Sequence, residues 1–183
     1  GLGSWEVPHI VQLLRTGVSP RATVVGPMAE VVQQSLQHLS EPDLGAMAVY
    51  LKSLPHTPVE KPEIAVGPEH ERVIAQGKRL YGTHCIDCHG GDGKGLPPHY
   101  PPLAGNRAVT MDSPVNAIRS VMNGGFAPGT EGNPRPYGMP PFSHVLNDAE
   151  AASLVTYLRR SWGNRAAPVS SGEVNRYRAV PLD

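Results

Sequence analysis

The chain contains 183 residues, with 16 Lys and Arg against 16 Asp and Glu, so its formal net charge is zero. This balance gives no support to nucleic-acid binding, and no apolar run is long enough to span a bilayer. Gly and Pro number 20 each, aromatic residues make up 5%, and there are two cysteines, which excludes a disulfide-rich scaffold and indicates one or two small, loop-rich domains.

The N-terminal region contains two predicted helices. The first spans residues 7–17 and is followed by a loop containing Gly26-Pro27-Met28. Ser40 caps the second helix, which runs to residue 55. Residues 56–67, rich in Pro and Glu, are predicted to form a linker.

The next region opens with a helix and then the most informative motif of the chain. The helix spans Pro68 to Gly82, with apolar residues on one face. Cys85-Ile86-Asp87-Cys88-His89 follows, and Cys-x-x-Cys-His is the attachment signature of c-type haem. The two thiols can bond the vinyl groups of a porphyrin while the imidazole binds the iron. An enclosed haem would also supply apolar core that so small a loop-rich domain lacks.

Two other interpretations of the motif stay open from the residues alone. A redox-active dithiol also uses Cys-x-x-Cys, but it favours a βαβ context that is not visible here. A structural zinc site could combine the two thiols with His84 and His89. Such a site usually draws a second ligand pair from a distant segment, and the later histidines, His99 and His144, lie far apart. Haem attachment is the favoured interpretation.

Loops and a short helix follow the motif. A Gly-rich loop covers residues 90–95, and a Pro-rich turn covers residues 97–105. Ser113, followed by proline, predicts the start of a short helix that ends at Gly124. The long loop from there to residue 143 contains Met139.

The last predicted helix reveals an internal repeat. It opens at Asn147, whose spacing from Glu150 is close to that of a capping box, and it ends at Gly163. Residues 164–183 are predicted to be a C-terminal tail. A shift of 107 positions along the chain relates the segment that contains this last helix to the N-terminal region. The matched pairs are Gly17 with Gly124, Ser40 with Asn147, Asp43 with Glu150, and Tyr50-Leu51 with Tyr157-Leu158.

The order of the elements after the linker resembles class I cytochrome c. The resemblance implies an all-α class I cytochrome c fold, in which loop-rich helices surround one covalently bound haem c. It also implies that the first and last helices cross at Gly77, where the missing side chain allows close approach. The counterparts on the last helix are Tyr157 and Leu158.

The same resemblance implies a set of haem-binding residues. Cys85 and Cys88 attach the haem, and His89 is the proximal ligand. Pro101, in Pro101-Pro102-Leu103-Ala104-Gly105, matches the residue whose carbonyl accepts the second N–H of the proximal imidazole. Met139 matches the sixth ligand, and His144 is its rival, which would give a bis-histidine site. Contacts to the haem propionates have three unranked candidates: Tyr100, Asn106 and Arg107.

These observations predict the domain organisation. Residues 68–163 are expected to form a complete cytochrome c domain. Residues 1–55 are expected to be the C-terminal half of a second domain that lacks its own Cys-x-x-Cys-His. Met28 lies in the matching loop and is a candidate ligand of a second haem, bound only if the missing half is supplied. Because the chain starts at Gly1 without an initiator Met, we expect a processed or truncated product.

Longer stretches resemble the multihaem cytochrome c subunit of bacterial membrane-bound dehydrogenases that oxidise alcohols, aldehydes or gluconate. They start at Gly26, Ala48, Tyr100 and Ser161. The family implies electron transfer from a catalytic dehydrogenase subunit or a neighbouring haem domain towards membrane quinone or a terminal oxidase. It implies no chemistry on the substrate, and a periplasmic location with membrane association through the complex. Family subunits carry three Cys-x-x-Cys-His motifs, and the single motif here predicts a fragment.

A haem enzyme such as a peroxidase is the alternative function. It would need an open sixth coordination position with polar distal groups. A methionine in the expected ligand loop favours electron transfer instead.

Overall fold

The computed structural model describes residues 2–55, 67–96 and 99–178. The chain divides into two compact units. The first comprises Gly1–Val59, Leu96–Pro102 and Gly125–Gly138, and the second comprises Glu60–Gly95, Leu103–Gly124 and Met139–Asp183. The predicted linker, apart from Gly67, lies outside the described residues. The predicted domain boundaries stay a prediction.

The first unit is helical. A 3-10 turn at Leu2–Ser4 precedes α1 (Val7–Thr16), and α2 (Pro27–Gln34) is followed by a second 3-10 turn, Leu36–His38, and by α3 (Glu41–Ser53). A small apolar cluster forms around Trp5, Ile10 and Ala48. The burial of these side chains, rather than helix propensity alone, stabilises helices as short as these.

The predicted N-terminal helices are confirmed, but the prediction of a loop between them is partly wrong, because part of that segment is helical. Gly17 ends α1 with a positive φ of 78° and lies where a Cβ would be 2.2 Å from Pro128 Cγ. The Ser40 hydroxyl accepts the backbone N–H of Asp43 at 3.3 Å, as a helix cap. Met28, predicted to lie in a loop, belongs to α2, because Pro27 has the fixed φ that suits a first helical position.

The remaining elements follow in chain order. They are α4 (Pro68–His84), α5 (Ile86–His89), α6 (Arg107–Thr110), α7 (Val115–Asn123), β1 (Gly125–Phe126), β2 (Gly138–Met139), α8 (Asp148–Arg160) and α9 (Ser171–Arg178). The two short strands pair with each other. None of the described helices has the length and apolarity that a membrane span requires.

The predicted crossing of α4 with α8 is confirmed. A Cβ on Gly77 would lie 2.1 Å from the Ser153 backbone oxygen and 2.6 Å from Tyr157 Cβ. Only glycine allows the two backbones to approach so closely. One turn further on, the Tyr81 and Tyr157 rings pack with their centroids 5.5 Å apart. Tyr81 belongs to the apolar core of the second unit, and Tyr157 packs against that core.

Helix termini in the second unit follow local signals, with two differences from the predictions. The capping box of α8 is confirmed: Asn147 Oδ1 accepts from Glu150 N at 3.0 Å, and Glu150 accepts from Asn147 N at 2.9 Å. Ser113 was predicted to cap α7, but the N-cap residue is Pro114, without a side-chain cap. The predicted tail contains α9, whose Val174 is fully buried against the core of the second unit.

The internal repeat is visible in the helices. Both α3 and α8 contain 13 residues, and their bounds differ by the offset found in the sequence. Buried residues recur at that offset, since Leu44 and Ala48 correspond to Ala151 and Val155. The same local pattern therefore produces the same helix in both units.

Candidate haem site

The Cys-x-x-Cys-His motif forms a tight turn directly after α4. Cys85 N donates to Tyr81 O at 2.9 Å, and Cys85 O accepts from Cys88 N at 3.2 Å and from His89 N at 2.9 Å. Both cysteines are free thiols. One helical turn therefore carries two free thiols and an imidazole.

The two thiols differ in their environments. Cys85 is buried in the core of the second unit, whereas Cys88 is exposed. Burial is the main cause that raises the pKa of the Cys85 thiol to about 11, with a smaller contribution from the charge of Cys88. Before attachment, Cys85 is thus a neutral core side chain.

The backbone after the motif is fixed around His89, which is only 8% exposed. Gly95 N donates to His89 O at 2.9 Å. The Tyr81 hydroxyl donates to Gly90 O, and Gly90 has a positive φ of 71°. Burial first, and then the charge of Cys85, raises the pKa of Tyr81 above its ordinary value, so the hydroxyl keeps its proton. These bonds hold the histidine backbone in one conformation.

Trp162 packs on the Gly-rich loop that follows His89. A Cβ on Gly93, whose φ is 67°, would lie 2.5 Å from the indole ring. Trp162 Nε1 donates to Gly91 O at 3.0 Å. The last helix was predicted to end at Gly163, but α8 ends at Arg160 and Trp162 has a positive φ of 52°, so its role in covering this loop was missed.

Asn164 is a second residue that sequence reasoning missed. Its buried side chain accepts from Gly105 N at 2.8 Å and donates to Leu103 O at 3.0 Å and to Leu158 O at 2.8 Å. One amide therefore ties the Pro-rich turn to the end of α8. No periodicity in the sequence indicates these bonds, since Gly105 and Leu103 lie 59 and 61 residues before Asn164.

Pro101 and Tyr100 belong to the first unit. The predicted role of the Pro101 carbonyl stays a prediction. Asn106 is buried and caps α6 by accepting from Ala108 N at 2.9 Å, and Arg107 donates to Thr110 O at 3.4 Å. The predicted propionate contacts of these side chains likewise stay predictions.

Met139 lies in β2, in the same unit as the Cys-x-x-Cys-His motif. Its half-buried side chain packs against the apolar cluster that includes Cys85. Its backbone passes close to the end of α7, because a Cβ on Gly124 would lie 2.1 Å from Met139 O. The structure thus brings the predicted sixth ligand to the core that also holds one attachment thiol.

The two other candidate ligands lie elsewhere. His144 is exposed to solvent. Met28 is 46% exposed, at the start of α2 in the first unit. Neither residue belongs to the buried cluster around Cys85.

These donors fit a covalently attached haem. Two free thiols, a buried imidazole and a half-buried thioether belong to one unit, and they match the attachment and axial-ligand chemistry of c-type haem. Among residues 2–55, 67–96 and 99–178, no three His, Cys, Asp or Glu side chains are grouped to hold a metal ion. The zinc interpretation therefore gains no support from the described geometry.

Comparisons with known proteins agree with this chemistry. A family profile described as cytochrome c matches residues 74–162. The chain is 37% identical to the alcohol dehydrogenase (quinone), cytochrome c subunit, of Gluconobacter oxydans over 98% of the chain and 39% of the relative. It is 34% identical to the gluconate 2-dehydrogenase cytochrome c subunit of Pantoea cypripedii over 95% of the chain and 41% of the relative.

A shorter relative is matched over most of its own length. Cytochrome c-554(548) of Halomonas halodenitrificans is 36% identical over 83 residues, which is 45% of the chain and 89% of that protein. The chain spans about two fifths of the length of the dehydrogenase subunits it matches. The predicted all-α cytochrome c fold is confirmed, and the chain belongs to the cytochrome c family.

Proposed function

We propose that the chain transfers single electrons through one covalently attached haem c, whose iron His89 and Met139 would bind. The observation that carries the proposal is the packing of Met139 against the cluster that contains Cys85, in the unit that also holds His89. When bound, the haem supplies a one-electron couple at its iron. The chain contributes attachment, ligation and a fixed environment.

Each residue has a separate role in this proposal. Cys85 and Cys88 would hold the haem through thioether bonds, and the His89 imidazole would bind the iron. By resemblance to the family, the Pro101 carbonyl would accept the other ring N–H. Met139 offers a soft thioether that favours reduced iron and raises the reduction potential. The bonds around His89 and the contact of Gly124 with Met139 keep both ligands in place during electron exchange.

The peroxidase alternative requires an open sixth position. The half-buried packing of Met139 supports a filled position and therefore electron transfer. Carbon monoxide distinguishes the two functions, because it binds reduced iron rapidly only where the sixth position is open or easily opened.

The test compares Met139→Ala with Met111→Ala in haem-loaded protein. Met111 is a matched control, because its sulfur contacts only the exposed Asn116 amide at 3.6 Å among the described hydrogen bonds. We expect Met139→Ala to bind carbon monoxide rapidly and to have a lower reduction potential, while Met111→Ala behaves like the parent. An unchanged potential and spectrum in Met139→Ala would show that another group binds the iron.

We propose that this haem serves a dehydrogenase complex. The named functions of the relatives support a catalytic dehydrogenase subunit as electron donor. Electrons would pass from it, or from a neighbouring haem domain, towards membrane quinone or a terminal oxidase. The chain itself would do no chemistry on the substrate. This role places it in the periplasm, associated with the membrane through the complex. Co-purification with such a dehydrogenase, and reduction of the haem on adding its substrate, tests this assignment.

We also propose that residues 1–55 are the C-terminal half of a second cytochrome c domain. The matching bounds of α3 and α8 support this. Tyr157 packs on the Tyr81 ring of α4, whereas its counterpart Tyr50 is 64% exposed. A helix of the α4 type supplied by the missing half would cover this face. Met28 would then be a ligand of a second haem.

Intact mass spectrometry tests how many haems the chain holds. One covalent haem is expected, on Cys85 and Cys88, because these are the only two cysteines. Met28→Ala should leave the absorption spectrum unchanged in this chain. A spectral change would show that Met28 binds iron without the missing half.

A further inference from the structure

Arg178, in the last turn of α9, contacts the turn that follows Met139. Its Nη1 donates to Ser143 O at 2.7 Å, and its Nη2 donates to Leu146 O at 2.9 Å. Its Nε donates to Asp148 Oδ1 at 2.6 Å. One guanidinium therefore uses all three of its nitrogens to join the end of the methionine loop to the start of α8.

The helix that carries Arg178 is itself held firmly. Val174 is fully buried in the core, and Asn175 donates to the second carboxylate oxygen of Asp148 at 2.9 Å. The Asn175 bond first, and then the Arg178 bond, lowers the pKa of the Asp148 carboxyl. The carboxylate is thus charged at neutral pH and keeps both partners. α9 lies beyond residues 74–162, the part that matches the family.

The chain between Met139 and Ser143 has little freedom. Pro140 and Pro141 have fixed φ angles. Phe142 N and Ser143 N donate to carbonyls at the end of α7, at 3.0 and 3.1 Å. Since the N–H of Ser143 is bonded to α7 and its carbonyl to Arg178, a displacement of this turn would move Met139.

We propose that Arg178 is a positioning residue for Met139. Arg178 fixes the backbone of the turn at residues 143–146 and so keeps the Met139 thioether at the iron. This inference rests on the proposed function, in which Met139 is the sixth ligand. Arg178 touches neither the haem nor the iron in this proposal. Its effect passes through the backbone.

The test measures methionine ligation in Arg178→Met, Arg178→Lys and the control Arg176→Met, all loaded with haem. Arg176 is exposed on the same helix. The readouts are the near-infrared band of methionine-bound ferric haem, the reduction potential, and the rate of carbon monoxide binding to reduced protein. We expect Arg178→Met to weaken the band and to lower the potential. It should also bind carbon monoxide about tenfold faster, a ratio that corresponds to ~1.4 kcal/mol in the free energy of dissociating Met139 from the iron. Arg178→Lys should give intermediate values of all three readouts. Its ammonium group keeps the positive charge but cannot donate to three partners in the planar geometry of a guanidinium.

The outcomes separate this inference from the proposed function. If Arg178→Met is folded, with the band and the binding rate of Arg176→Met, the inference is wrong while methionine ligation stands. If Arg178→Met does not fold, Arg178→Lys decides, and a parent-like carbon monoxide rate in it overturns the inference. If the parent already lacks the band and binds carbon monoxide as fast as Met139→Ala, the proposed function fails and this inference fails with it.

Discussion

The crossing of α4 with α8 depends on one glycine and provides a quantitative test. Gly77→Ala would place a Cβ 2.1 Å from the Ser153 backbone oxygen and 2.6 Å from Tyr157 Cβ. A change of rotamer cannot relieve a clash with backbone, so the two helices must move apart. That movement would disturb the packing of Tyr81 on Tyr157.

The size of the effect follows from two opposing contributions. Overpacking a core usually costs about 1–3 kcal/mol, and a clash with backbone belongs at the upper end. Replacing Gly by Ala within a helix contributes about 1 kcal/mol in the other direction. The expected net loss is about 2 kcal/mol, which lowers the melting temperature of a protein of this size by about 4–8 °C.

Gly82→Ala is the matched control. Gly82 lies in the same helix, and a Cβ there would meet nothing within 4 Å. It should therefore stabilise the protein by up to about 1 kcal/mol. Denaturant unfolding of the haem-loaded protein measures both variants. If Gly77→Ala is as stable as the parent, or if both variants shift in the same direction, the close crossing is not the reason for this glycine.

Four further predictions concern the environment of the site. Asn164→Ala removes three hydrogen bonds between the buried amide and backbone groups of Gly105, Leu103 and Leu158 and should cost at least about 2 kcal/mol in denaturant unfolding; a loss below about 0.5 kcal/mol would contradict this. Arg159 is fully buried and donates to four backbone carbonyls, so Arg159→Met should destabilise by about 3 kcal/mol, whereas the half-buried Arg160, replaced in the same way, should show little change. In haem-free protein, iodoacetamide should modify exposed Cys88 before Cys85, because the thiolate reacts and burial raises the pKa of Cys85 to about 11; equal rates by peptide mapping would count against the burial of Cys85. The folded form then binds this proton more tightly than the unfolded form, so haem-free protein should lose stability as the pH rises from about 9 through about 11.

Features encoded within a few residues were predictable. Cys85, Cys88 and His89 lie within one helical turn, and their chemistry requires no distant partner to be recognised. The capping box of α8 is a local pattern, and it was predicted correctly. Two further helix starts also carry local signals. Pro27 is the first residue of α2, and Ser170 with Glu173 caps α9, where the Glu173 backbone N–H donates to the Ser170 hydroxyl at 3.3 Å.

The helical repeat, the glycine at the crossing and the prediction of haem attachment could all be derived from the amino-acid sequence, since each follows from a short spacing or from a resemblance carried by such spacings. The side chains that hold the segments around the Cys-x-x-Cys-His motif together could be identified only from the folded structure. Asn164 reaches Leu103, Trp162 covers Gly93, and Arg178 reaches Ser143. These partners lie dozens of residues apart, and their contacts arise only when packing of the apolar core brings the segments together. Sequence periodicity reports which face of a helix is buried, but it carries no information about which distant carbonyl that helix will meet.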